Sequence, residues 1–225
     1  PKYDDAEIIK VGNPGLRPQF TNSVELGYKT NLTKGYYYAA IYHRSTNGTI
    51  TRIATQAPPS TLIYTVFQNA GYSSNTGVEM VFQQNFSKAF SFNSNVNIYR
   101  NIINAFTVEN KYPVLSIYTA GKEAITSGNV KLNGIFHLPK KTYIQLTAIY
   151  LAPDIIPQGR IDTRFSVDMG IKKQIQKDKG ELFFNASDIF NTLRIKKTVT
   201  GNGFTLASTD YYETQVIRLG YSYKF

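Results

Sequence analysis

A repeated alternation of apolar and polar residues, with a period of two, constrains this chain more than any other feature. The segment RIDTRFSVDMGIKKQ (160–174) shows it most clearly. Successive side chains of a β-strand point to opposite faces, so such a segment has one apolar and one polar face. We find no convincing helical pattern, and the sequence predicts an all-β protein of nine strands. These strands are 20–30, 35–56, 61–84, 89–101, 127–138, 142–152, 160–174, 181–200 and 216–225.

The connections between these strands alternate between two kinds. Four are tight and each contains lysine: 31–35, 85–89, 138–141 and 176–180. The others are mostly longer: 57–60, 102–124, 152–159 and 201–210. Short periplasmic turns and longer outside loops are typical of an up-and-down barrel in an outer membrane, whereas a β-sandwich has no reason to keep this alternation. The sequence therefore predicts an antiparallel transmembrane β-barrel in the cell outer membrane.

This orientation fixes the direction of each strand. Residues 1–19 become an extracellular loop, residues 20–225 form barrel strands, and the C terminus is periplasmic. Outer-membrane barrels have an even number of strands and both termini in the periplasm. Nine strands that begin outside the cell do not make a whole barrel, so we expect the chain to be the C-terminal part of a larger protein.

Composition excludes several classes of protein. The 225 residues contain no apolar run of 18 or more, so a transmembrane helix is excluded, although a membrane β-barrel needs no such run. Cysteine is absent, which excludes disulfides and thiolate metal sites. The net charge of +10 is scattered and forms no basic stripe among stacking aromatics, so we expect no nucleic-acid partner.

The last strand, VIRLGYSYKF, ends on a large aromatic residue. Its apolar face carries Leu219, Tyr221, Tyr223 and Phe225, which we expect to face lipid at the aromatic girdle of the membrane. This strand is predicted to pair with the first strand of the complete barrel. The alternative is the edge strand of a soluble sandwich, with Phe225 in a core.

Charged residues on the polar faces are candidates for the lumen. Asp162, Arg164, Asp168 and Lys172 fall on one face of segment 160–174, and Arg218 falls on the polar face of the last strand. We expect them to line a wet channel, to contact a plug or to act in solute passage.

Loop 102–124 is a candidate contact for a ligand or partner, because it is long and carries three aromatic residues. These residues are Phe106, Tyr112 and Tyr118.

The sequence does not favour an enzyme. His43 and His137 are its only histidines and are predicted at opposite rims of the barrel. No nucleophile–base arrangement is visible. We therefore expect no catalytic residues, no metal and no cofactor.

Four stretches resemble the C-terminal barrel of TonB-dependent outer-membrane receptors, in the branch called the outer-membrane β-barrel family. They are VGNPGLRPQFTNSVELGYK, FQNAGYSSNTGVEM, NASDIFNT and the terminal LGYSYKF. The first is similar to the family's GNP-x-L-x-P-E entry to a barrel strand, with Gln19 in place of the acidic residue. Together the matches span residues 11–225.

The resemblance implies a barrel of about 22 strands, closed by an N-terminal plug. It also implies uptake of a bulky solute, of the siderophore, glycan or peptide class, driven by the TonB complex. The barrel-assembly machinery would read the terminal strand with Leu219, Tyr221, Tyr223 and Phe225. The plug and the TonB box are absent from this sequence.

Two other functions stay open. The first is a non-transporting barrel that acts as a scaffold in a surface or secretion complex, for example with a surface lipoprotein. The second is a soluble, secreted β-sandwich that binds carbohydrate, and it would be extracted without detergent.

Overall fold

The computed structural model describes residues 2–3, 8–56 and 58–225. Its strands are β1 (Lys2–Tyr3), β2 (Ile8–Val11), β3 (Phe20–Leu32), β4 (Gly35–Asn47), β5 (Ile50–Gln56), β6 (Ile63–Asn69), β7 (Tyr72–Asn85), β8 (Phe90–Ile103), β9 (Phe106–Asn110), β10 (Ser116–Ala120), β11 (Glu123–Leu138), β12 (Thr142–Leu151), β13 (Asp154–Ile156), β14 (Gly159–Ile161), β15 (Arg164–Ile175), β16 (Gly180–Ser187), β17 (Ile195–Gly201), β18 (Phe204–Asp210) and β19 (Val216–Tyr223). A 3₁₀ turn covers Gln176–Asp178. The described residues contain no helix with the length and apolar character needed to cross a membrane.

Nine strands form one large sheet in the order β3-β4-β7-β8-β11-β12-β15-β16-β19. Every neighbouring pair in this order is antiparallel, and the order follows the chain. The prediction of nine antiparallel strands with up-and-down connections is therefore confirmed. The sheet is open: within the described residues its edges are β3 and β19, which do not pair with each other.

The strand register aligns apolar side chains in rows across the sheet. One row crosses six strands through directly paired residues: Phe90, Phe136, Ile144, Ile171, Phe184 and Leu219. We call this side the apolar face. Near the sheet edges its side chains are largely uncovered, with Val24 74% exposed and Leu219 78% exposed. The opposite side, which we call the polar face, carries mainly amide, hydroxyl and charged side chains.

Two of the predicted long strands are broken by glycines. The segment 35–56 divides into β4 and β5 around Gly48, which has φ +64°, and the segment 61–84 divides into β6 and β7 around Gly71, which has φ +55°. The Gly48 amide donates a hydrogen bond of 2.8 Å to the carbonyl of Gly71. Glycine adopts this left-handed conformation without a steric penalty. The chain therefore leaves the large sheet here, rather than continuing through a bulge.

Beyond these breaks lie three small sheets, which together we call the cap. Their strand orders are β1-β2-β6-β5, β10-β9 and β13-β14-β17-β18. The core of the cap includes the last residue of β8 and is formed by Ile53, Ala70, Ile103, Phe106, Val108 and Ile155. Ile53 is completely buried. The apolar residues of these extensions pack on one another, as in a soluble domain.

Several of the predicted loops contain strands of the cap. Residues 8–11 form β2, which pairs parallel with β6. Residue 1, residues 4–7 of the predicted loop and residue 57 of connection 57–60 lie outside the described residues. Connections 102–124 and 152–159 contain the β9–β10 hairpin and the turn of the β13–β14 hairpin. The prediction of 201–210 as a plain connection is wrong, because these residues complete the β17–β18 hairpin.

Candidate solute path along the polar face

Amide side chains dominate the centre of the polar face. On β8, Asn93, Asn95 and Asn97 occupy every second position, and Asn101 follows after Tyr99. The register places Asn129 opposite Asn97. Asn95 donates a 2.9 Å hydrogen bond to the Glu79 carboxylate. Amide groups both donate and accept hydrogen bonds, so this strip offers a neutral surface to polar groups of either kind.

A pocket of about 390 Å³ lies at the cap end of this strip. The Tyr42 hydroxyl, on a side chain that is only 4% exposed, lies 2.9 Å from the Asn97 amide oxygen. Arg44 is the one charged residue in the lining, and its guanidinium lies over the Tyr42 ring at 4.5 Å. The remaining lining is hydroxyl and amide: Thr21, Thr46, Ser73, Ser74, Asn75, Tyr99, Asn101 and Asn129.

The β13–β14 hairpin extends over the polar face and partly covers it. Its Asp154 carboxylate accepts hydrogen bonds from the Tyr99 hydroxyl at 2.7 Å and from the Asn101 amide at 2.8 Å. Both donors belong to β8 of the large sheet. The hairpin is therefore attached by a carboxylate, and not by apolar packing alone, to the large sheet, which we also call the wall.

Two buried polar residues join the cap sheets to each other. The Gln158 side chain accepts a 2.6 Å hydrogen bond from the Ala54 amide and donates one of 3.0 Å to the Ala54 carbonyl. Asn110 has no exposed surface, donates to the Thr55 hydroxyl at 2.6 Å and accepts from Gln68 at 2.7 Å. Since buried polar groups need partners, these contacts fix the relative positions of hairpins that are distant in sequence.

A second cavity, of about 580 Å³, lies between hairpins of the cap. Its charged lining consists of Glu123, Arg160 and Asp162, and threonines of β17 and Asn202 add hydroxyl and amide groups. This cavity and the amide strip lie on the same side of the large sheet as the β13–β14 hairpin. We treat the amide strip and these two polar cavities as the candidate functional site.

The structure places four of the five predicted lumen residues on the polar face. Arg164, Asp168 and Lys172 alternate with apolar residues along β15, and Arg218 lies opposite Asn185 on β19. Lys172 forms an ion pair of 2.6 Å with Glu181. The fifth residue, Asp162, lies in the two-residue link between β14 and β15, so it belongs to the cap cavity and not to the wall.

Asp168 has a structural contact that the sequence did not reveal. Its carboxylate accepts a 2.8 Å hydrogen bond from the Asp188 amide, just beyond the end of β16. The Asp188 carboxylate is buried and accepts hydrogen bonds from the amides of Thr192 and Leu193 and from the Thr214 hydroxyl. Burial raises the pKa of Asp188, but these hydrogen bonds outweigh burial and lower the pKa overall.

The turn around Asp188 falls within the stretch NASDIFNT. Asp188 and Asn191 both have positive φ, of 45° and 52°. Asp and Asn tolerate this conformation better than other residues with side chains, because their short polar groups bond to nearby backbone.

The three aromatic residues of loop 102–124 have different environments. Phe106 is buried in the cap core, and its ring centroid lies 6.0 Å from that of Tyr118. Tyr118 also lines the 580 Å³ cavity. Tyr112 is 45% exposed and makes an edge contact of 5.8 Å with Tyr64. Tyr118 and Tyr112 are therefore accessible to a ligand or partner, whereas Phe106 has a packing role.

The remaining predicted residues lie at the margins of the sheet. Leu219, Tyr221 and Tyr223 lie on the apolar face of the edge strand β19, and Phe225 follows it with a fully exposed ring. His43 lies in the cap-side half of β4, and His137 is next to the end of β11 at a tight turn. No group of three or more His, Cys, Asp or Glu side chains suited to a metal occurs in the described part of the chain.

Comparisons with known proteins agree with this geometry. The model of the outer membrane protein beta-barrel family matches residues 1–223. A solved structure, the FrpB iron transporter from Neisseria meningitidis (F3-3 variant), is similar with a TM-score of 0.52 and 15% sequence identity. The similarity covers 96% of this chain and 33% of that one, so the chain spans one third of its length. At this identity the likeness concerns the fold alone. No curated protein matches the chain.

Proposed function

Since this chain belongs to the outer membrane protein beta-barrel family, we propose that it forms part of a receptor barrel that imports a bulky solute. In this proposal the chain supplies nine C-terminal strands of a barrel of about 22 strands. The tight turns and the C terminus face the periplasm, and the cap faces outward. The TonB complex energises the transport through a separate, N-terminal part of the protein.

One observation carries the proposal: the large sheet has an uncovered apolar face and a polar face that leads to cavities under the cap. A soluble sheet covers its apolar face with another layer, whereas a membrane barrel exposes it to lipid. The opposite face of such a barrel surrounds the route of the solute. Specificity then belongs to the cap, where hairpins from distant parts of the chain meet.

The chemistry of the wall favours a polar solute without high charge. The centre of the polar face is lined by asparagines, and several of its charged groups are paired, as in Lys172 with Glu181. A solute rich in hydroxyl or amide groups would exchange hydrogen bonds with such a wall without leaving a charge unpaired. We therefore favour the glycan and peptide classes over a strongly anionic siderophore.

An uptake experiment tests the transport function. Cells that produce the full protein, a deletion strain and cells treated with a proton ionophore receive labelled oligosaccharides, peptides and ferric siderophores. We expect one class to accumulate only in energised cells that contain the protein. Accumulation that is equal in the deletion strain for every class would contradict the proposal.

A second candidate function is a scaffold for a surface partner, such as a lipoprotein. The tip of the β9–β10 hairpin favours it, because Leu115 is 72% exposed and Ile117 59% exposed. Exposed apolar residues at one tip are typical of a contact with another protein. A stoichiometric partner that co-purifies with the protein, together with absent uptake of all three solute classes, would favour this second function.

A further inference from the structure

Positive charge is concentrated at one end of the large sheet. The four tight turns and the last two residues, which together we call the turn rim, contain seven lysines and a single acidic residue, Asp178. The lysines are Lys34, Lys88, Lys140, Lys141, Lys177, Lys179 and Lys224. All seven are exposed. The segments at the cap end, 8–19, 48–71, 104–122, 152–163 and 188–215, carry nine basic and six acidic residues and are nearly balanced.

Two turns of the rim place lysine where the backbone disfavours it. Lys140 and Lys141 have φ values of 58° and 54°, and Lys177 has a φ of 55°. Glycine or asparagine is the usual residue in left-handed hairpin positions, since a longer side chain adds steric strain. Lys141 forms an ion pair with Asp178 of the neighbouring turn. Lysine at 140 and 177 does not help its turn to form, so the charge at these two tips requires another reason.

An aromatic band borders the lysines on the apolar face. Phe86 is 56% exposed and stacks on Phe90, with ring centroids 5.8 Å apart. Phe90 in turn stacks on Phe136 at 4.9 Å. At the other end of the rim, Tyr223 contacts Phe225 at 5.4 Å. Aromatic rings of this kind occupy the boundary between the hydrocarbon core and the headgroups of a membrane. The lysines therefore lie at headgroup level.

We propose that the turn rim binds anionic glycerophospholipids of the leaflet that surrounds it. Lys141 pairs with Asp178, and each of the other six lysine tips is a flexible cation within reach of a headgroup phosphate. The adjacent aromatic band contacts the acyl chains. The lysines follow the turns across the full width of the sheet, with neighbouring turns roughly 10 Å apart. A line of charges in the plane of the membrane matches a leaflet, whereas a folded protein partner would select a compact patch. The inference does not depend on which solute, if any, is transported.

The experiment compares two triple variants of the full-length protein. The rim variant carries Lys34→Gln, Lys88→Gln and Lys140→Gln. The matched control carries Lys111→Gln, Lys122→Gln and Lys196→Gln, which remove three exposed lysines from the cap. Each protein is exchanged into nanodiscs of equimolar phosphatidylglycerol and phosphatidylcholine, and the lipids that it retains are counted by native mass spectrometry.

We expect the wild-type protein and the control to retain phosphatidylglycerol over phosphatidylcholine, and the rim variant to lose this preference at least about tenfold. Equal retention of both lipids by the wild type would overturn the proposal, as would equal loss in rim and control variants. An unchanged lipid preference together with a lost acidic protein partner would show that the rim binds a protein instead.

A second measurement uses the wild-type protein alone, so it tests the proposal even if the rim variant does not fold. In the wild-type protein, retention of phosphatidylglycerol should fall steeply as salt increases, because the contacts are screened charges at a surface. Retention that does not respond to salt would contradict an electrostatic headgroup site without any substitution in the chain.

Discussion

The cap core and the apolar face are both built from large aliphatic and aromatic side chains, yet they treat these side chains in opposite ways. In the cap, Ile53 is completely buried and Phe106 is 7% exposed. On the apolar face, Val24 and Leu219 are about three-quarters exposed, at 74% and 78%. The cap therefore buries its apolar side chains as a domain in water does, whereas we propose that lipid covers those of the apolar face. One chain contains both regions, and at Gly48 and Gly71 it passes from the large sheet to the cap and back.

The largest effect is expected in the cap core. Phe106→Ala should destabilise the cap by about 3–5 kcal/mol, because the ring is removed from a closed core and leaves a cavity. Leu219→Ala on the apolar face is the matched change, and there lipid fills the space. Hydrogen exchange of cap amides in the full protein measures both. If both variants accelerated exchange in the cap equally, the proposed difference between a closed cap core and a lipid-covered apolar face would be wrong.

The next effect compares adjacent residues on the two faces of β12. Leu146→Arg places a charge on the apolar face near the middle of its strand and should cost about 2–4 kcal/mol. Gln145→Arg, on the polar face, should cost far less, since an arginine there reaches water. Unfolding by denaturant in lipid vesicles gives both values, and similar costs would refute the assignment of the faces.

A smaller effect is expected at the junction between wall and cap. Asp188→Ala removes the carboxylate that accepts four hydrogen bonds from Thr192, Leu193 and Thr214, and it should cost about 1–3 kcal/mol, because these partly buried donors lose a charged partner. The pKa of Asp188 is lowered. Its stabilising effect is thus complete above the ordinary aspartate pKa of about 4 and is lost as the pH falls through the lowered value. Unfolding measured against pH should show this loss in the wild type and not in the variant.

An effect of similar size, but confined to the cap, is expected at the contact between two cap sheets. Gln158→Ala removes both hydrogen bonds to Ala54 and should cost about 1–3 kcal/mol in total. The loss should appear as faster hydrogen exchange in the β13–β14 hairpin, with the exchange of β15 unchanged. Faster exchange along β15 would show that the cap and the wall are one cooperative unit.

Sequence patterns predict the wall well because the wall is governed by a local rule. Side chains alternate between two environments, and the tight turns lie where the alternation is interrupted by Lys, Pro and Gly. The nine strands and their antiparallel order follow from this rule alone. Even the polar-face positions of Arg164, Asp168 and Lys172 follow from parity within β15.

The cap is not predictable in the same way, because only short links separate β5 from β4 and β6 from β7, and the sequence pattern predicts each pair as one continuous strand. What separates them is the backbone of Gly48 and Gly71 and a hydrogen bond between residues far apart in sequence. Asp162 has the correct parity for the wall but lies in a link before the strand begins. Phe106 looks like a ligand contact in a loop, and only the tertiary structure shows that it belongs to a core.

The most direct test asks which solvent each face of the large sheet contacts. The chain has no cysteine, so single cysteines at positions 143–148 of β12 can be spin-labelled one at a time in the full protein. Collision rates with oxygen, which enters lipid, and with a water-soluble nickel chelate are then measured in vesicles. We expect 144, 146 and 148 to favour oxygen, and 143, 145 and 147 to favour the chelate. A uniform pattern, or one with the opposite parity, would contradict the lipid-facing assignment of the apolar face.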